Sequence, residues 1–405
     1  MNNVAMLTGY DLCLAYAKDY EQLISHLKQS KVADKTNWFG SDRAVKQFGL
    51  AVNQPVAKFS DERYDVFAMI CQIIDNTLRR AGVAKSALAS KNVRVYLTGL
   101  GPRADAMDYA AFYDHSDVED MKRQSGLKNL HTTKISQDKL AAQLVKAYQL
   151  RYLPPNIDCA SNSSLTGVHL AIQGVEKGGL DLVLVVNCSQ IKTQDVNFMG
   201  VRLKLDNDTA VQPFGKENNN VFGSEGFSAV LFENQAHFNA RQGQEGVKLV
   251  SAFMQNSVSR GNDMPQFTAS LLKVIHKSMA MANVTLNDLC AIIPHGNGSQ
   301  ISDKPEINAL VPLLSDKTVP VLLYKALMGY TATGSGIIDL IIGYHSLRQR
   351  ELISPHSYAE INEGMVPHVL VNQGVIKHDK KYLLKYGLGL DGSLVSIVMF
   401  DRDIE

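Results

Sequence analysis

The chain is poor in the features that would assign it to a specialised class at once. Its five cysteines (Cys13, Cys71, Cys159, Cys188 and Cys290) form no CxxC pair, and no histidine stands near them at zinc-ligand spacing. An odd, scattered set argues against a disulfide framework or a metal centre and fits reduced thiols in the cytosol. Aromatic residues make up only 7% of the sequence, and none is interleaved with a basic cluster. Lys+Arg number 41 against 40 Asp+Glu. Neither nucleic acid nor an anionic membrane surface is therefore expected as the main partner. No segment approaches the roughly 20 apolar residues of a membrane span. The opening MNNVAMLTGYDLCLAYAKDYEQL lacks the basic start and apolar run of a signal peptide. A soluble cytoplasmic protein is expected, without membrane attachment.

What is present is material for a large core. The 405 residues are 45% hydrophobic and 20% charged, and single cores stop growing at roughly 250–300 residues. One large domain or two are both in range. Short apolar runs bounded by turn residues recur at Val93–Gly99, Leu180–Val186, Ala229–Phe232, Val247–Phe253, Cys290–Ile293, Val319–Leu323 and Leu394–Phe400. Several show no polar/apolar alternation, as strands buried on both faces do. Helical patterns lie between them at Glu62–Ala81, Gln137–Gln149, Ser164–Lys177, Gln266–Ala282 and Gly334–Arg348. Strands alternating with helices predict an α/β layered fold. Two helices, within Ser163–Lys177 and Gly334–Arg348, are apolar on nearly every face and start from small residues. Such helices belong in the middle of a protein, and one in each half suggests a duplicated unit. The apolar pattern breaks over Glu233–Gly246, which divides the chain into halves 1–240 and 241–405.

Four stretches carry the chemistry. Asp158–Ala171 (DCASNSSLTGVHLA) puts Ser161 on a small-residue turn before an apolar helix. A nucleophile there would feel the positive helix end and free backbone N–H groups, although a Ser-rich helix start is more often only a cap. His295–Glu306 (HGNGSQISDKPE) places a histidine at the end of a buried strand, on a Gly-x-Gly loop that can approach a ligand. That loop lacks the third glycine of a dinucleotide fingerprint, and no cofactor is expected. Lys325–Gly336 (KALMGYTATGSG) again follows a buried strand, and Gly387–Gly392 (GLGLDG) is a glycine-rich turn before the last strand.

In order, spacing and flanks these four stretches resemble the β-ketoacyl synthase (ketosynthase) family. The first resembles its nucleophile elbow, with Ser161 at the cysteine position. The second matches its HGTGT-type loop at His295, Gly296, Gly298, Asp303 and Glu306. The third matches at Lys325, Gly329, Ser335 and Gly336, and the fourth places Leu388 at the gating phenylalanine, followed by Gly389. VAMLTG at the start, Pro213–Phe214 and Glu225–Gly226 extend the resemblance along essentially the whole chain. The resemblance implies a thiolase-like, duplicated five-layered α-β-α-β-α fold, usually dimeric, with an acyl-carrier protein as partner. It also implies a Cys-His-His triad for decarboxylative condensation, which here reads Ser161, His295, Tyr330. Lys325 would complete the catalytic set, with Leu388, Gly389 and Glu225 on the substrate side.

Both departures weaken condensation. Cysteine at a helix N-terminus can be ionised at neutral pH, whereas a serine hydroxyl needs a general base within hydrogen-bond reach. Of the carried-over residues only His295 can be that base, since a tyrosine with an ordinary pKa of ~10 is a poor one. Moving the nucleophile to Cys159 would break the register at Asp158, Ser163, Ser164, Leu165, His169 and Ala171. Two functions remain open. One is a non-condensing subunit resembling a chain-length factor, paired with a Cys-type ketosynthase in type II fatty-acid, polyketide or aryl-polyene-like synthesis. The other is an active acyltransferase or β-ketoacyl synthase in which Ser161 takes the acyl group and His295 is the base. There the N–H groups of Ser161 and Leu388 would form the oxyanion hole. The retention of Ser161, His295, Lys325 and Glu225 favours it, although packing as an ion pair would equally explain Lys325 and Glu225. A bare acyl-binding protein of the same fold is a third class that the sequence does not separate from the first.

Overall fold

The computed structural model describes residues 3–60, 64–109, 136–202, 211–217, 220–257, 264–357 and 359–401. The strands are β1 (Ala5–Leu14), β2 (Thr36–Asn37), β3 (Pro55–Ala57), β4 (Val93–Thr98), β5 (Asn156–Ile157), β6 (Leu182–Ser189), β7 (Gly223–Ser224) and β8 (Gly226–Asn234). They continue with β9 (Val247–Asn256), β10 (Leu289–Ile293), β11 (Glu351–Ser354), β12 (Gly374–Lys377), β13 (Tyr382–Leu388) and β14 (Ser393–Phe400). Nine of them form one mixed sheet in the order β10-β13-β14-β9-β1-β8-β6-β4-β5.

That order contains the same pattern twice. Over the first half the sheet strands lie in the spatial order third-second-fourth-fifth-first. There β4 is parallel to β5 and β6, and β8 is antiparallel to β6 and β1. Over the second half Val321 bridges Ile292 in parallel, β10 is parallel to β13, and β14 is antiparallel to β13 and β9. The repeat covers connectivity and direction alike. The two halves of the sheet meet where β1 pairs with β9 through Ala5–Leu249, Met6–Lys248 and Leu7–Val247.

The absence of alternation in the strands now has its cause. Val183 and Val185 face a central core while Leu182, Leu184 and Val186 face an outer one; likewise Ile397 points inward and Val398 outward. Helices Val66–Ala81 and Gln137–Tyr148 cover the first outer face, and Met264–Ala282 and Gln300–Leu314 the second. The two apolar helices, Ser163–Glu176 and Ser335–Gln349, are the middle layer. Five layers result, as the resemblance to ketosynthases implies.

The middle helices touch at Gly336, where an added Cβ would lie 2.4 Å from Leu165 Cγ and 2.9 Å from Ser164 Oγ. Overpacking a filled core costs about 1–3 kcal/mol. Gly336→Ala is therefore expected to destabilise by that amount, measured as a lower midpoint of denaturant unfolding.

Some sequence expectations are altered. The run Val319–Leu323 makes only a single bridging residue, Val321, between Ile292 and Val369. The helix expected over Glu62–Ala81 starts at Val66, capped by Asp65, which accepts from the N–H groups of Phe67 and Ala68; Glu62 lies outside the described residues. No helix among the described residues is long and apolar enough to cross a membrane.

Candidate active site

Ser161 stands on a tight turn between β5 and the first middle helix. Ala160 takes a left-handed conformation (φ 47°), and the N–H groups of Asn162 and Ser163 bond back to the carbonyls of Cys159 (2.9 Å) and Ala160 (3.2 Å). The Ser163 hydroxyl donates to the Ala160 carbonyl at 2.6 Å and accepts from Cys159 N–H at 2.9 Å. A non-glycine residue held at positive φ is strained by about 1–3 kcal/mol and persists only where its surroundings over-determine it. Here the Ser163 hydroxyl does so. The Ser161 hydroxyl donates to the backbone carbonyl of Leu388 at 3.1 Å.

His295 follows β10 on a loop built by two buried carboxylates of the next helix. Glu306 accepts from the N–H groups of His295 and Gly296, both at 2.9 Å. Asp303 accepts from Asn297 (3.1 Å), Gly298 (3.2 Å) and Phe214 (2.8 Å). At Gly298 (φ +96°) a Cβ would lie 2.3 Å from the Asn220 carbonyl, so only glycine fits. Burial pushes Asp303 up to about 6 and, together with the neighbouring Asp303, Glu306 up to about 8. Burial first, then the ammonium groups of Lys325 and Lys385, hold His295 well below the ordinary imidazole value. The imidazole is thus neutral at pH 7.

Tyr330 fills the space beside it. Its backbone is tied to Phe222 and Ser224 by hydrogen bonds of 2.9 and 3.0 Å, and its ring meets His295 edge-on at 5.6 Å. The Tyr330 hydroxyl lies 3.3 Å from His295 Nε2, and Asn297 Nδ2 lies 3.4 Å from the same nitrogen. Tyr330 also faces Ser161, and burial pushes its hydroxyl up to about 12. The order along the site is therefore Ser161, Tyr330, His295. Among the described residues no hydrogen bond joins Ser161 to His295 directly.

Ser161, Tyr330 and Asn297 open onto a mostly apolar cavity of about 320 Å³. Its apolar lining includes Leu100, Ile191, Phe198, Met199 and Leu390. Leu388 is not part of that lining: its side chain packs in the outer core of the second half. It reaches the site through its backbone instead. Leu388 and Leu394 face each other across the β13–β14 hairpin while Gly389 N–H bonds Ser393 O at 2.8 Å. In such a non-bonded pair the N–H and C=O of Leu388 both point away from β14, on the side where Ser161 lies.

Lys325 and Glu225 are not an ion pair. Lys325 donates to Asp339 at 2.9 Å, and Glu225 accepts from the N–H groups of Phe59 (3.1 Å) and Ile191 (3.2 Å). Glu225 is thus a loop anchor behind the cavity wall. Sequence reasoning missed Asn297, Asp339 and Lys385, and the apolar wall from Phe198, Met199 and Leu390. A polar residue between two motif glycines was the available signal for Asn297.

Residues 25–237 match the family model described as beta-ketoacyl synthase, N-terminal domain, and residues 248–358 the one for the C-terminal domain. The chain belongs to the beta-ketoacyl synthase family. Among relatives, erythronolide synthase EryA2 of Saccharopolyspora erythraea is 29% identical over 206 residues, 49% of this chain and 6% of that protein. The pikromycin polyketide synthase component PikAII of Streptomyces venezuelae is 24% identical over 310 residues, 74% of this chain and 8% of that protein. The ketosynthase-like chain thus spans a small part of these large synthases. Among solved structures, a type II ketosynthase bound to its acyl-carrier protein and the hexaketide (AntDE:AntF) superposes over 100% of both chains, with TM-score 0.82 and 16% identity. The ishigamide ketosynthase/chain length factor covers 99% of this chain and 100% of that one, with TM-score 0.80 and 14% identity. At these identities the structures establish the thiolase-like fold.

Proposed function

We propose that this ketosynthase-like chain is a non-condensing subunit that shapes the acyl-chain site of a Cys-type ketosynthase partner. That pair would act on acyl-carrier-protein-bound chains in polyketide, fatty-acid or aryl-polyene-like synthesis. The single observation that carries the reading is the proton economy at Ser161. Its hydroxyl proton rests on the Leu388 carbonyl, while the lone pair of His295 faces the Tyr330 hydroxyl and the Asn297 amide. A serine nucleophile needs a base within hydrogen-bond reach, and among the described residues none contacts Ser161. Carrier-protein and chain-length-factor assemblies among the similar structures support the choice of partners.

The second reading, Ser161 as acyl acceptor, is favoured by a different observation: the cavity is open down to the serine and is not filled by side chains. In it the Ser161 proton would pass to Tyr330 and on to His295, and the N–H groups of Ser161 and Leu388 would hold the oxyanion.

Intact-protein mass spectrometry after incubation with acyl-carrier proteins separates the two. The non-condensing reading expects no acyl adduct on the wild type. It also expects Ser161→Ala to co-purify with a Cys-type ketosynthase and support chain synthesis undiminished. A stable adduct lost in Ser161→Ala, with synthesis abolished in an intact complex, would instead establish the acyltransfer reading.

A further inference from the structure

Behind His295 lies a buried cluster whose Lys385 and Asp339 neither reading uses. Lys385, on β13, is fully buried, and its ammonium donates to Asp339 at 2.7 Å and to the carbonyl of Pro294 at 3.0 Å. Pro294 is the residue directly before His295. Lys325 donates to the same Asp339 oxygen, so one carboxylate serves two ammonium groups and leaves one positive charge unmatched within the cluster.

We propose that Lys385 is a positioning residue of the site: by bridging Asp339 to the Pro294 carbonyl it fixes the strand end carrying His295 and places a second positive charge behind the imidazole. The geometry has a chemical purpose. Donors converge on His295 Nε2 from Tyr330 and Asn297, and that arrangement requires a lone pair there. A cation behind the ring opposes its protonation. The titratable groups around this centre are Lys325, Asp339, Glu306, Asp303, Tyr330 and Tyr386. Burial is the main cause that brings Lys385 itself down to about 8, with Asp339 opposing and Lys325 assisting. Its charge therefore falls away as pH rises through that value.

The test is an NMR titration of histidine-labelled protein, with His295 assigned through His295→Gln. In the wild type the His295 resonance is expected to shift between pH 7 and 10 as Lys385 loses its proton. Glu306 titrates in the same range, so the comparison with Lys385→Arg decides. Arginine keeps the charge and does not titrate, and only the part carried by Glu306 should remain. Lys385→Met should raise the proton affinity of His295 roughly tenfold, the order expected when one of two buried positive charges behind the ring is removed at an effective dielectric constant of about 20. If the methionine variant does not fold, the arginine variant still decides. The proposal is overturned if the wild-type and Lys385→Arg curves superimpose. None of these readouts depends on whether the chain transfers acyl groups, so failure here is separate from failure of the proposed function.

Discussion

Asp339→Asn is expected to lower the unfolding free energy by about 3–5 kcal/mol, read as a fall in the urea or guanidinium midpoint. The substitution keeps side-chain volume, so little cavity cost enters. The loss comes from the two ammonium groups that Asp339 serves, Lys325 at 2.9 Å and Lys385 at 2.7 Å, with side chains 3% and 1% exposed. Removing one partner of a buried ion pair leaves an uncompensated charge in low dielectric, which is why the cost exceeds that of a surface pair. Here two cations are stranded together. Lys385→Met added to Asp339→Asn should recover part of the loss, because it removes one of them.

The loss should also shrink as pH rises. A lysine whose folded value is lowered binds fewer protons in the folded than in the unfolded state between the two values. Stability therefore increases with pH across that window. For Lys385 it runs from about 8 to the ordinary 10.5 in the wild type, and loss of Asp339 extends it downward in the variant. The loss therefore shrinks as pH rises toward about 8, above which both chains gain alike. A loss under about 1 kcal/mol that is flat from pH 7 to 10 would mean that the lysines are not charged in the folded chain.

The same cluster explains what the sequence concealed. Leu182–Ser189 and Leu289–Ile293 are legible as strands because every residue in them is buried and nearly all are apolar. Tyr382–Leu388 was not read as a strand, since Lys385 interrupts its apolar run and the compensating Asp339 is 46 residues away in sequence. Asp11 hides β1 in the same way, its partner Asn76 lying 65 residues on. The helix Gln300–Leu314 carries Pro305 and Pro312, which mark it as a loop by local rules. At the site, local motifs pointed to Ser161, His295 and Tyr330, which sit on short turns or loops flanked by small residues, and to Lys325, which opens the short helix Lys325–Met328. Which of them touch was not legible. The placement of Tyr330 between Ser161 and His295, and the pairing of Lys325 with Asp339, are set by contacts between elements far apart in sequence.

Supplied with acyl- and malonyl-carrier proteins, the chain alone is expected to form no β-ketoacyl product, measured by mass spectrometry of the carrier-bound species. Two steps are expected to fail for separate reasons. Acyl capture should fail because a serine hydroxyl is not ionised by a helix end as a cysteine thiol can be, and its proton is held by the Leu388 carbonyl at 3.1 Å. Decarboxylation should slow because a developing enolate would meet one imidazole and a phenol instead of two imidazoles, and loss of one such donor costs about 10²–10³ in rate. The defects can be relieved one at a time. Ser161→Cys should restore acylation, seen as a mass increase blocked by thiol alkylation, without restoring condensation at a useful rate. Adding Tyr330→His should then raise product formation by about 10²–10³, provided that the new imidazole takes the phenol's place beside His295. Product from the unaltered chain would remove the basis of the non-condensing reading, because it would require Ser161 and Tyr330 to perform both steps as they stand.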